Sequence, residues 1–147
     1  MKIKMLFVIL VYLNFSRPAV FSEKKALKKP YSISAGMTIE KSNIYENAGL
    51  EFEFYNKSEK TVVSFTIVFL VYDFYQDFSG DESGNISLEV FAEIKGRSEI
   101  EDCISLDGIF SEVPEETYQL DYLYVSRIIY SDGSEWTDSS GRYAVYF

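Results

Sequence analysis

From Tyr31 onward, apolar residues recur at every second position, the period of a strand with one face on a core and the other in water. Tyr31, Ile33, Ala35, Met37 and Ile39 alternate with mostly small or polar residues. Leu50, Phe52 and Phe54 alternate with Glu51 and Glu53 and end at a turn, Asn56-Lys57-Ser58. The run 61–75 is apolar in both phases. Val63, Phe65, Ile67, Phe69 and Val71 share one face, and Val62, Ser64, Thr66, Val68 and Leu70 share the other. A strand apolar on both faces is expected to be central or covered. A loop at Gly80-Asp81-Glu82-Ser83-Gly84-Asn85 follows, and Ile86, Leu88, Val90, Ala92 and Ile94 resume the alternation. A weaker strand is expected within 100–109, ending near Asp107-Gly108. After a turn at Val113-Pro114-Glu115-Glu116, the residues Tyr118, Leu120, Tyr122, Tyr124, Ile128 and Tyr130 are expected on one face of a long strand. Asp132-Gly133 marks a tight hairpin returning through Glu135-Trp136-Thr137, and a last short segment covers Tyr143 to Phe147.

About seven strands with turns at this spacing predict an all-β fold, an Ig-like antiparallel β-sandwich over residues 31–147. A closed barrel of lipocalin type is the alternative, although such barrels use more strands at more even spacing. Helical periodicity is absent after Pro30, and the 17% aromatic content, nearly all Tyr and Phe, suits strands.

The N-terminus follows a different rule. Lys2 and Lys4 precede an apolar run from Met5 to Leu13, too short to span a bilayer. Pro18 interrupts it, and Val20 and Ser22 stand at −3 and −1 of a cut before Glu23. Residues 1–22 therefore read as a signal peptide and 23–30 as a basic linker. Arg17, Lys24, Lys25, Lys28 and Lys29 follow the apolar run, and positive charge on the exported side opposes translocation. An uncleaved, tethered form thus stays open. With the leader removed, no membrane span is expected.

Charge and cysteine content narrow the setting. Without Lys2, Lys4 and Arg17 the chain keeps 11 of its 14 basic residues against 23 acidic ones, a net of −12. Such a field repels nucleic acid and anionic surfaces. Cys103 is the single cysteine, so no internal disulfide forms, and a buried structural role is expected for it. Export without disulfides points to a bacterial periplasm or envelope.

Two stretches resemble bacterial extracytoplasmic Ig-like domains of the FxLYD type. Gly49 to Asp73, GLEFEFYNKSEKTVVSFTIVFLVYD, is similar to their opening hairpin, an F-x-N-x-S-x-K-x-I strand pair leading to Y-D-x-x-G. Tyr122 to Trp136, YLYVSRIIYSDGSEW, is similar to their closing I-x-Y-x-D-G-S-x-W hairpin. The chain departs from the pattern in placing Phe74-Tyr75-Gln76-Asp77-Phe78-Ser79 before its glycine. The resemblance implies a sandwich fold and an envelope setting, and carries no catalytic residue.

Candidate chemistry is sparse. The chain has no histidine, which removes His-based bases, triads and zinc sites. Gly80 and Gly84 lack the Lys-Ser/Thr of a phosphate loop. Paired carboxylates of a glycosidase would have to flank a cleft. Asp73, Asp77, Asp81 and Glu82, with Asn85 nearby, group hard oxygen ligands around one loop and make a weak calcium candidate. Trp136 is expected in the core or packed across its hairpin. The expectation is an exported, non-enzymatic binding or structural module of the bacterial envelope. It would need no cofactor and would hold an envelope or host protein. A small-ligand barrel is the alternative.

Overall fold

The computed structural model describes residues 28–40, 42–72, 78–79, 85–110, 113 and 118–147. They form two antiparallel sheets with no helix among the described residues. β1 (Tyr31–Thr38), β2 (Gly49–Asn56) and β6 (Glu99–Ser105) make a three-stranded sheet in the order β1-β2-β6. The second sheet holds β3 (Val62–Tyr72), β4 (Phe78–Ser79), β5 (Asn85–Ile94), β7 (Gln119–Tyr130), β8 (Glu135–Thr137) and β9 (Val145–Tyr146). It is four lanes wide. β4 and β5 share the lane on one side of β3, β7 lies on its other side, and β8 and β9 share the lane beyond β7. Two separate sheets packed face to face make the expected sandwich rather than a closed barrel.

Alternation builds the core. On β2, Leu50, Phe52 and Phe54 are buried while Glu51 and Glu53 are exposed, as their spacing requires. Phe54 stacks on Phe65 of the facing sheet at 4.3 Å, Phe52 meets the same ring edge-on at 5.9 Å, and Tyr31 stacks on Phe54 at 5.7 Å. Trp136 packs edge-on against Tyr31 at 5.6 Å, inside the core as expected. These offset and edge-to-face pairs suit the ring quadrupoles and add to the stabilisation from burying large rings.

Strict alternation fails at three places, each a β-bulge. Val63 has no counterpart between Val62 and Ser64, so Val62 and Phe65 both face the core and Val63 is 37% exposed. In β7, Ser126 and Asp121 are the unmatched residues. One extra residue resets the side-chain parity of everything beyond it. The core face of β7 is therefore Leu120, Leu123, Val125, Ile128 and Tyr130, and the expected placement of Tyr122 and Tyr124 with them is corrected. Both point outward. Tyr122 lies opposite Leu70, and its hydroxyl bonds Asn85 on the strand beyond, which roofs Leu70. Tyr124 lies opposite Val68. Tyr122 thus covers part of the second apolar face of β3, while the Tyr124 ring lies against Gly141.

Two polar residues tie the layers and turns together. The Tyr31 hydroxyl, on the three-stranded sheet, accepts a hydrogen bond from the Val125 N–H of β7 at 3.0 Å. Val125 lies between the stretch of β7 paired with β8 and the stretch paired with β9, so this donor is met from the opposite sheet. Asn56 is buried at the end of β2. Its amide donates to the carbonyls of Lys60, Ile94 and Lys95, and its oxygen accepts from the Ser58 N–H and hydroxyl. At the far hairpin, Gly133 takes φ of +80° and Lys60 pairs with Asp132 at 2.8 Å, which holds that carboxyl below the usual range.

Tyr31→Phe leaves the Val125 N–H buried without an acceptor, and the expected loss is about 1–3 kcal/mol in chemical denaturation. Burial raises the Tyr31 phenol to about 12, and burial also raises Tyr124 and Tyr130. The unfolded chain then ionises first, so stability is complete below the ordinary value of 10.0 and is lost as pH rises toward 12. Denaturation midpoints between these pH values test this. Tyr31→Phe should reduce the slope, and an unchanged slope would show that this phenol does not carry it.

Candidate functional site

The candidate site is the outer face of the three-stranded sheet. Pairing aligns its side chains in rows: Ser32–Tyr55–Glu99, Ser34–Glu53–Glu101 and Gly36–Glu51–Cys103. Glu53 and Glu101 stand directly opposite each other, an arrangement of like charges that disfavours the sheet. At a separation of ~5 Å in water their repulsion is roughly 0.8 kcal/mol. Glu40 and Asp102 border the same area. The three ion pairs among the described residues, Lys60–Asp132, Arg97–Glu59 and Arg127–Glu135, all lie elsewhere, so these six carboxylates have no cationic partner among the described residues.

The face is cupped by the connection between β1 and β2. Asp107, in the turn after β6, accepts the N–H groups of Glu46 and Asn47, each at 2.7 Å, and these donors hold its carboxyl below the usual carboxylate range. Asn47 donates in turn to the Phe110 carbonyl, and the hydroxyls of Tyr45 and Thr38 are 3.0 Å apart. This fixes the buried Tyr45 ring over Gly49, where a Cβ would lie 2.6 Å from the ring and 2.9 Å from Cys103 Sγ. Exposed Ile44 then stands at the rim of an open depression of about 630 Å³, with Ser34 and Gly36 on one side and Glu51, Glu53, Glu101 and Cys103 along the floor. A second depression, of about 380 Å³, lies beside it and shares Glu51.

Cys103 is half-buried on this face, not fully buried as expected. Burial, and then the Glu51 and Asp102 carboxylates, raise its thiol. The surroundings keep it protonated, which disfavours nucleophilic or redox use. The carboxylates stand side by side on one open surface, so they do not form the two-sided arrangement of a glycosidase.

The expected calcium ligands Asp73, Asp77, Asp81 and Glu82 lie outside the described residues. Asn85, noted beside them, opens β5 and its side chain bonds Tyr122. Among the described residues no group of three or more Asp, Glu or Cys is placed to hold a metal ion. Asn56, in the sequence Asn-Lys-Ser, is 1% exposed and fully hydrogen-bonded, so it serves the fold. The acidic face was not found from sequence because it needs the β2–β6 register. Its only local signals are the Glu-x-Glu patterns at 51–53 and 99–101.

The chain therefore defines an antiparallel β-sandwich with an acidic, cupped outer sheet face. No family model, no curated protein and no solved structure matches it.

A methyl group at position 49 has to displace the Tyr45 ring or Cys103. Gly49→Ala should cost about 1–3 kcal/mol and speed labelling of Cys103 by a thiol reagent. Unchanged stability and labelling would show that the cup wall is not fixed by this contact.

Proposed function

We propose that this chain is an exported, non-enzymatic binding module of the bacterial cell envelope, and that it holds a cationic protein on the outer face of its three-stranded sheet. One observation carries the reading: like charges are set opposite each other on a cupped surface with no counter-charge among the described residues. A solvated acidic face needs no cup, no apolar rim at Ile44 and no lane of small residues beside the carboxylates. Cationic side chains brought to Glu51, Glu53 and Glu101 remove their mutual repulsion, and opposite potentials speed encounter. The leader-like segment 1–22, the absence of disulfide pairing and the resemblance to extracytoplasmic Ig-like domains support the envelope setting. The small-ligand alternative depended on a barrel, and two separate sheets with aromatic rings packed between them favour surface binding over an interior ligand.

The binding test uses small proteins of matched size and opposite charge, with affinity measured at about 20 and about 200 mM salt. Basic proteins should bind, more weakly at the higher salt. Glu53→Lys with Glu101→Lys should abolish binding, while Glu89→Lys with Glu93→Lys on the other sheet leaves it. Equal loss in both double variants would reduce the effect to net charge and overturn the reading.

Export is tested separately. Terminal sequencing of protein from the envelope fraction should begin at Glu23, and protein retained in the cytoplasm would overturn it.

A further inference from the structure

β1 is an edge strand without the usual protection of an edge. Natural sheets guard exposed edges with charge, proline or bulges, because unpaired backbone groups template the addition of another strand. The opposite edge of this sheet, β6, carries Glu99, Glu101 and Asp102. β1 reads Tyr-Ser-Ile-Ser-Ala-Gly-Met-Thr, with no charge and no proline, and pairs with β2 through eight residues without a register shift. No other described strand pairs with it.

The hydrogen-bond phase identifies the free groups. The Lys57 N–H bonds the Pro30 carbonyl at 2.8 Å. Alternation along an antiparallel pair then turns the N–H and C=O groups of Ser32, Ser34 and Gly36 toward β2, and those of Ile33, Ala35 and Met37 toward the open edge. Gly36 is not explained by the fold. A Cβ there meets nothing among the described residues within 4 Å, its φ is not in the left-handed region, and no bulge occurs at it. Glycine weakens a strand interior, and where neither a bulge nor a bend accounts for it, it marks the close approach of another backbone. An antiparallel strand added to β1 faces Gly36 and Ser34 in its non-hydrogen-bonded pairs, where Cα atoms come within about 4.5 Å.

We propose that β1 accepts an extended antiparallel segment of the partner protein, with Lys or Arg at the two positions opposite Gly36 and Ser34. This rests on the acidic-face reading and adds how the partner is held. In the new lane those two side chains lie on the same face as Glu51 and Glu53, two strand spacings or about 10 Å away. Between them stand only Gly36 and Ser34, so a long cationic side chain and a glutamate reach each other across an unobstructed row. Backbone bonds to Ile33, Ala35 and Met37 supply affinity, and the two cations supply specificity.

The test uses the full-length protein and a labelled eight-residue peptide alternating Lys with Val and Thr, followed by fluorescence anisotropy. Gly36→Val should weaken binding at least about tenfold while the melting temperature stays or rises, because a β-branched residue replaces glycine in a strand. Ala35→Pro removes an outward N–H and should weaken binding similarly. A peptide N-methylated on the amides facing β1 should also lose affinity, with the protein unaltered. Glu51→Gln with Glu53→Gln should remove the preference for Lys over a Gln-substituted peptide. If the peptide binds equally well to Gly36→Val and after N-methylation but fails with the glutamine variant, strand addition is overturned and the acidic-face reading stands. If basic proteins bind and the peptide does not, the same conclusion holds. A dimer of this chain that Gly36→Val dissociates, and that the peptide does not compete with, would make a second copy the occupant and overturn the proposal.

Discussion

The Tyr31 hydroxyl crosses the core to take the Val125 N–H, and much of the architecture is arranged around that bond. β7 bulges at Ser126, and beside the bulge its outer lane passes from β8 to β9. A backbone donor in that gap has no strand to meet, and burying it unpaired carries a penalty larger than the net gain of an ordinary hydrogen bond. Tyr31 removes the penalty from the opposite sheet. The same ring stacks on Phe54, meets Trp136 edge-on and carries the Lys29 ammonium 4.7 Å above it. One residue thereby sets the spacing of the two sheets at one side of the sandwich and fixes where β1 begins. Trp136 is a contrasting case, with a buried indole N–H that has no acceptor among the described residues. Its ring instead packs against Tyr31 and Tyr143.

The elements were legible in the sequence because alternation and turn chemistry are local. Glu51 and Glu53 between Leu50, Phe52 and Phe54 leave one choice of inner face, and Asp132-Gly133 closes its hairpin where a left-handed glycine permits it. The bulges were not legible. At Val63, Asp121 and Ser126 the sequence remains compatible with unbroken period two, and only the partner strands show which residue is unmatched. That is why Tyr122 and Tyr124 are expected on one face with Leu120 and Ile128 but lie on the opposite one. The two-residue strand β4 lies between the expected apolar run 61–75 and the expected loop at 80–85, too short to show a period of its own. The candidate site was half legible. The acidic outward positions of β2 could be read directly. Their juxtaposition with Glu101 depends on a pairing between segments some fifty residues apart, and nothing local encodes it.

The Asn-x-Ser-x-Lys stretch at 56–60 has a physical account in this structure. Asn56, Ser58 and Lys60 of the Asn-x-Ser-x-Lys stretch are a structural knot. Asn56 gathers carbonyls from the β2–β3 turn and from the end of β5, Ser58 bonds back to it, and Lys60 reaches Asp132 and Ser134 in the closing hairpin. The two quoted stretches therefore meet in space through Lys60 and Asp132. In this chain the motif pins three turns at one end of the sandwich, and so it speaks to fold rather than to ligand.

The two edges of the three-stranded sheet are treated in opposite ways. β6 places charge on its edge, the standard defence against unwanted pairing. β1 gives up both that defence and the strand propensity that a β-branched residue at position 36 would contribute. Neither choice is forced by packing, since nothing among the described residues stands within 4 Å of where a Gly36 side chain would begin. A sequence that accepts a weaker strand at an uncharged edge, beside carboxylates with no counter-charge among the described residues, has given up stability at one place on its surface. The chemistry that recovers it is a backbone with positive side chains. The acidic face and the bare edge are thus two halves of one surface, the first favouring cations and the second favouring an extended chain.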